Sequence, residues 1–172
     1  IGKSLPQIAD LPGPSRPGDP SGSDERLITV WRTTTPNEDV IIPFQTGNHN
    51  NGTIQTAVNL EVDWGDGNSE SYQATTINNA YLQHTYATAG DHEVAITGRC
   101  SGLYMGGTQG GNDATNRNRL IDVKNWGDTK ITGLTFMLSY CNNVVVTATD
   151  SPTRLPLGED AGAVFYTQAR RM

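Results

Sequence analysis

The chain is short of charge, of cysteine and of long apolar runs, and each shortage removes a class of protein. Charged residues are only 17% of the 172, and acids outnumber bases, 18 Asp+Glu against 12 Lys+Arg, for a net charge of −6. A nucleic-acid binder needs a basic stripe to meet phosphates. Here Arg170-Arg171 is the one basic cluster, and Arg117 and Arg119 stand apart from other bases, so no nucleic-acid partner is expected. The two cysteines, Cys100 and Cys141, are too few for a disulfide scaffold and match no metal spacing. They read either as one bridge in an exported chain or as two small buried apolar groups. No apolar run nears the roughly 20 residues that span a bilayer, so membrane insertion is not expected. The chain opens at Ile1 without an initiator Met or a signal peptide, as a processed start or a piece of a longer protein does.

Catalytic signatures are missing as well. There is no Gly-Xaa-Ser-Xaa-Gly elbow and no glycine loop ending in Gly-Lys-Ser/Thr. His92-Glu93 does not begin a His-Glu-Xaa-Xaa-His helix, because Ile96 holds the last position. Acidic pairs exist, but nothing in the sequence sets the separation glycoside hydrolysis needs. The expectation is a protein that is not an enzyme.

What is present is glycine, 19 residues of it, with Thr, Asn and Ser, a composition that suits a loop-rich β protein. Residues 1–25 carry Pro6, Pro12, Pro14, Pro17 and Pro20. Proline removes backbone donors and extends the residue before it, so this stretch reads as an arm or linker, free to lie on a neighbouring subunit. Strand patterning starts with Leu27–Trp31 and continues with Val40–Phe44, the latter expected at a sheet edge because Pro43 cannot donate to a ladder. Asn59 to Trp64 alternates, with Leu60, Val62 and Trp64 on one face and Asp63 on the other. Gly65-Asp66-Gly67 then requires a turn with positive φ. Glu70–Gln73, Tyr81–Tyr86, Glu93–Thr97, with Val94 and Ile96 inward, and Leu120–Trp126 read as further strands. Two stretches, 45–56 and 105–118, are rich in Gly, Asn and Thr and read as long exposed loops. After Lys130 the texture changes: Thr132–Leu138 suits a short helix, and Val144–Val146 an extended run. A weak echo sets Phe136–Cys141 against Val164–Ala169, 28 residues on, a period that suits a solenoid.

Two motifs carry a family resemblance. Val62-Asp63-Trp64-Gly65-Asp66-Gly67, followed by His84-Thr85-Tyr86 and Ala89-Gly90 before an alternating strand, resembles the PKD (polycystic kidney disease) domain over about residues 26–100. Trp64 stands where that family commonly has Phe, and His92 near its second Tyr. Further on, Val123–Asp128, Phe136–Val144 and Ala148–Pro152 look like the start of BspA-like surface-protein repeats, with Val144 in place of the usual Leu. The resemblance implies a PKD/Ig-like antiparallel β-sandwich over 26–128, after the arm at 1–25, with a small α/β repeat-like segment over 129–172. That segment stops inside its second unit, so a longer parent chain or a docking partner is expected. It also implies an extracellular, cell-surface or virion-surface module without catalysis.

Candidate residues follow. Asp63, Asp66 and Asn68 are oxygen groups around a glycine turn, either ligands for a structural Ca²⁺ or acceptors that lock the turn; they do not match an EF-hand. No other cofactor is expected. Gly65, Asp66, Gly67, His84, Tyr86 and Gly90 read as turn and strand-start residues, Tyr86 bonding its hydroxyl to backbone. Trp31 and Tyr72 are the aromatic side chains expected at the surface, with Trp64 in the core. Asn51 (within Asn51-Gly52-Thr53, a glycosylation sequon), Thr108 and Asn112 are the candidate contacts on the two loops. The expected function is binding or adhesion to a protein or glycan. The alternatives are a structural assembly protein whose arm contacts copies of itself, in a virion or a filament, and a carbohydrate-binding accessory module.

Overall fold

The computed structural model describes residues 25–45, 58–74, 80–100, 102–106, 109–127, 130–131 and 138–150. The expected arm, all but its last residue, lies outside these residues, as do residues 46–56 of the loop expected at 45–56, Thr132–Met137 of the expected helix and the echo at 164–169.

The described chain is mainly β, in two sheets. The larger is built from β1 (Leu27–Thr33), β3 (Val58–Asp63), β4 (Ser69–Ala74), β6 (Gly90–Cys100), β8 (Leu120–Asn125), β9 (Lys130–Ile131) and β10 (Val145–Val146). Its order is β10-β8-β1-β6-β3-β4, with β9 paired to β6. The smaller holds β2 (Glu38–Gln45), β5 (Ala80–Tyr86) and β7 (Gly102–Leu103), in the order β5-β2-β7. Most pairings are antiparallel, but β10 on β8 and β9 on β6 are parallel.

One core joins the sheets into a sandwich-like body. The large sheet supplies Leu27, Trp31, Leu60, Val62, Val94, Ile96, Leu120 and Val123; the small sheet supplies Val40, Ile42, Phe44, Tyr86 and Leu103. Period-two alternation explains the choice: Leu60 and Val62 are buried while Glu61 and Asp63 are exposed.

β1 required a correction. Trp31, expected at the surface, is fully buried. The run Leu27–Trp31 is apolar or β-branched throughout, so its inward face could not be chosen from alternation. In the fold Leu27, Thr29, Trp31 and Thr33 share the inner face, and the Trp31 Nε1 donates to Thr29 Oγ1 at 3.0 Å.

The position of β2 also differs from expectation. It lies between β5 and β7, not at an edge. β7 pairs only with Phe44 and Gln45, so one side of Asp39, Ile41 and Pro43 lacks a strand partner there. Pro43, having no N–H, loses nothing on that side, and its carbonyl accepts from Tyr104 N at 3.0 Å.

The expected loop at 105–118 is largely a structured plug. A 3-10 turn (Gln109–Gly111) precedes helix α1 (Ala114–Arg119), which Asp113 caps by accepting from Asn116 N at 2.9 Å. Met105, Asn112 and Asn116 are buried. Residues 130–131 and 138–150, in the expected repeat segment, attach to the large sheet through β9 and β10. The Asp150 carboxylate accepts from Trp126 N at 3.0 Å and Gly127 N at 2.7 Å, tying Asp150 to the residues that follow β8.

Candidate functional site

The acidic glycine turn closes on itself. Gly65 and Gly67 have φ of 78° and 92°, a region that costs a residue with a Cβ. Asp63 Oδ1 accepts from Gly65 N at 2.9 Å, and Asp66 Oδ1 from Asn68 N at 3.1 Å and Asn68 Nδ2 at 3.0 Å. The second Asp66 oxygen meets His84 Nε2 at 2.8 Å. Partial burial works against the Asp66 carboxylate, but the bonds from His84 and Asn68 outweigh it, and its pKa falls below the ordinary value. Among the described residues no three His, Cys, Asp or Glu side chains gather as a metal site. Of the oxygens read as possible Ca²⁺ ligands, one of Asp63 and both of Asp66 are engaged in holding the turn.

Behind the turn lies a row of stacked rings. Trp64 stacks on His84 with centroids 4.8 Å apart, and Tyr86 stacks on His92 at 3.6 Å. His84 meets Tyr86 edge-on at 4.7 Å, which joins the two stacks. The Tyr86 hydroxyl donates to the Trp64 carbonyl at 2.8 Å; burial and the nearby Asp66 and Asp63 raise its pKa well above the ordinary value. His92 Nε2 meets Thr33 Oγ1 at 2.8 Å. Burial pushes the His92 pKa down, against the opposing pull of Asp66 and Asp91. Gly90, at the start of β6, donates its N–H to the same Thr33 oxygen at 3.2 Å.

The other candidates scatter. Tyr72 is half-buried against the core, its ring 6.1 Å from that of Phe44. Asn112, expected as an exposed contact, is fully buried: its Nδ2 donates to the Met105 carbonyl at 3.0 Å, and its Oδ1 accepts from Asn116 Nδ2 at 2.8 Å. Polarity alone placed it on a loop surface, whereas a small polar side chain with every bond satisfied can fill the interior. Asn51 and Thr108 lie outside the described residues. Cys141 is a buried free thiol, and burial raises its pKa to about 12; the Cys100 side chain lies outside those described.

Sequence reading missed a concavity among the described residues. An open cleft of about 830 Å³ lies between the β1–β2 turn, α1 and β8. Thr34 and Glu38 form one wall and Thr115, Asn118 and Arg119 the other, while Ile121 and Asn143 also line it. Glu38 accepts from Thr34 N at 2.7 Å and from the hydroxyls of Thr34 and Thr35, both at 3.1 Å. These bonds, the backbone one foremost, draw its pKa down to about 2, and Arg119 adds to the effect from 3.5 Å. Arg32, at the rim, makes a two-pronged bond to Asp91 at 2.6 and 2.8 Å. The cleft thus mixes polar groups with apolar surface, and its charges are matched in pairs.

Among the described residues the exposed aromatic groups are Tyr140, 61% exposed, and Tyr81, 44% exposed. Tyr140 has φ of 63°, unusual for a residue with a side chain, and the Arg117 guanidinium sits 5.4 Å from its ring centroid. Its only sequence signal was the Tyr-Cys-Asn-Asn string, whose turn-forming asparagines follow it. Comparison with known proteins gives no match to a family model, to a curated protein or to a solved structure.

Proposed function

We propose that this chain is a non-catalytic binding or adhesion module, displayed outside the cell on a sandwich of the PKD type. The observation that carries this reading is how the polar groups are used. Those of the Asp-Trp-Gly-Asp-Gly turn hold the scaffold together, while the cleft beside α1 presents amides, hydroxyls and matched ion pairs to solvent. A general base works best with a pKa near the operating pH, and Glu38, held at about 2, is far from it. The PKD reading is supported by the inward Trp64, the positive-φ glycines after it and the Tyr86 hydroxyl on the Trp64 carbonyl. Parallel pairing of β10 on β8 supports a repeat that starts after the sandwich.

Labelled protein applied to a panel of purified matrix proteins and glycans tests the reading, with Ala114→Arg as the control that fills the cleft. Binding that this variant removes while its melting temperature holds supports the proposal. Chemical turnover of a bound ligand, or binding indifferent to the plug, overturns it.

A second reading, a subunit of an assembly, is favoured by β10. Among the described residues it is an edge strand, whose Val145 and Val146 are 58% and 43% exposed, and unprotected apolar edges recruit other strands. Sedimentation velocity should then show concentration-dependent association that Val145→Lys abolishes. A strict monomer at every concentration argues against it.

A further inference from the structure

We propose that His92 makes one wall of the cleft respond to pH: a proton on its ring loosens the β1–β2 turn that carries Thr34 and leads into Glu38. The response belongs to the unliganded chain and goes beyond the binding reading above. Short links join the ring to that turn at both ends. His92 Nε2 meets Thr33 Oγ1 at 2.8 Å, and Thr33 immediately precedes Thr34. The Tyr86 ring stacks on His92 at 3.6 Å, and the Tyr86 carbonyl accepts from Asn37 N, just before Glu38, at 2.9 Å. Thr34 and Glu38 line the cleft, and Thr34 N donates to the Glu38 carboxylate at 2.7 Å. Beside His92 on β6, Asp91 holds Arg32 at the cleft rim.

The Thr33 hydroxyl is the moving part. It has one hydrogen to give and three acceptors in reach: His92 Nε2 at 2.8 Å, the Thr88 carbonyl at 3.3 Å and the Gly90 carbonyl at 3.5 Å. The shortest contact assigns the hydrogen to His92, whose Nε2 is then bare, and leaves the oxygen to accept from Gly90 N at 3.2 Å. A proton on Nε2 reverses the first bond, so the hydroxyl must turn to one of the two longer acceptors. The titratable groups facing the ring are Asp66 from the β3–β4 turn, His84 and Tyr86 from β5, and Asp91 beside it on β6; β1 brings only the uncharged Thr33. Burial opposes the proton most and His84 adds to that, while Asp66, Asp91 and the Thr88 backbone favour it; the balance puts the ring's pKa below the ordinary 6.5. Glu38, held at about 2, does not itself titrate in that range, so a change in its wall near neutrality has to come from elsewhere.

NMR of the isotope-labelled chain, titrated from about pH 7.5 to about pH 5, tests this. The amide signals of Thr34, Asn37 and Glu38 should move with the same midpoint as the His92 ring, and the exchange protection of the Asn37 amide should fall about ten-fold. His92→Phe keeps a ring against Tyr86 and should hold these signals still. Thr33→Val should leave His92 titrating while the Thr34 signal no longer follows it. His84→Gln, which removes the other imidazole, should leave the response in place. A wall unmoved while His92 titrates overturns the inference, as does a response that survives in His92→Phe, one that His84→Gln removes, or a Thr34 signal that still follows in Thr33→Val. No ligand enters the experiment, so none of these results bears on the binding reading, which the panel of matrix proteins and glycans decides.

Discussion

At the scale of single residues, the acidic glycine turn shows how far local pattern reaches. Gly65 and Gly67 have the same kind of backbone, yet their surroundings differ. A Cβ on Gly65 would overlap the Glu93 carbonyl oxygen, whereas one on Gly67 meets nothing. Gly67→Ala should therefore cost only the strain of the conformation, about 1–2 kcal/mol, and Gly65→Ala more than about 3 kcal/mol. Equal losses in urea denaturation would show that the Glu93 contact carries no weight. His92 gives a pH dependence of definite sign. Burial lowers its folded-state pKa below the ordinary 6.5, so the unfolded chain takes up the proton first. Its contribution is complete above pH 6.5 and is lost as pH falls through the folded value. Asp66, Asp91 and Asp113, all with pKa values held below 3.8, add a separate loss below that pH. The melting temperature should decline in two stages on acidification, and His92→Phe should remove the first; a single acid transition in the wild type would contradict this. The inward Trp64 and the turn glycines were legible because alternation and positive φ are properties of neighbours in sequence. The Trp31 face and the Tyr140 surface were not, since a uniformly apolar run and an isolated aromatic carry no directional signal.

At the scale of elements, α1 replaces a strand. Where β7 ends, the Asn116 side chain takes over the ladder: its Oδ1 accepts from Ile41 N at 2.9 Å and its Nδ2 donates to the Ile41 carbonyl at 2.8 Å. Arg119 Nη1 donates to the Asp39 carbonyl, also at 2.8 Å. A side-chain amide sets an acceptor beside a donor as a peptide group does, with a second N–H to spare, so one asparagine satisfies a residue of open edge. Asn116→Ala orphans both polar groups of Ile41 in a buried place. It should cost about 3–5 kcal/mol, and Asn116→Gln should not restore it, because the longer arm misplaces the fork. A loss below about 1 kcal/mol, measured by denaturant titration, would show that water serves equally well. Sequence could not reveal this. A Gly- and Asn-rich string reads as exposed loop, and the partner at Ile41 is 75 residues away. Excising 107–116 thus removes part of the fold's closure, not a free loop.

At the scale of the molecule, the described residues after 129 share hydrogen bonds with the large sheet. β10 lies on β8, Thr147 and Ala148 donate to the Val123 carbonyl, and Asp150 holds Trp126 and Gly127. Calorimetry should therefore give one transition, with Thr147 and Ala148 amides protected from exchange to the same free energy as β1. Two transitions, or early exchange at 147–148, would show a separately melting unit. The mainly β class was legible from composition and alternation. The strand order was not, because which strands become neighbours depends on long-range pairing. The α1 cover over β2 also has a consequence in time. The helix residue that closes Ile41 follows it by 75 positions. At a synthesis rate of about 5–20 residues per second, the ribosome needs about 4–15 s to deliver it. For that interval the strand's side is open on every nascent chain. Weakening α1 should then lower soluble yield in the cell by more than its effect on the finished protein's stability would suggest, and slower translation should deepen the loss.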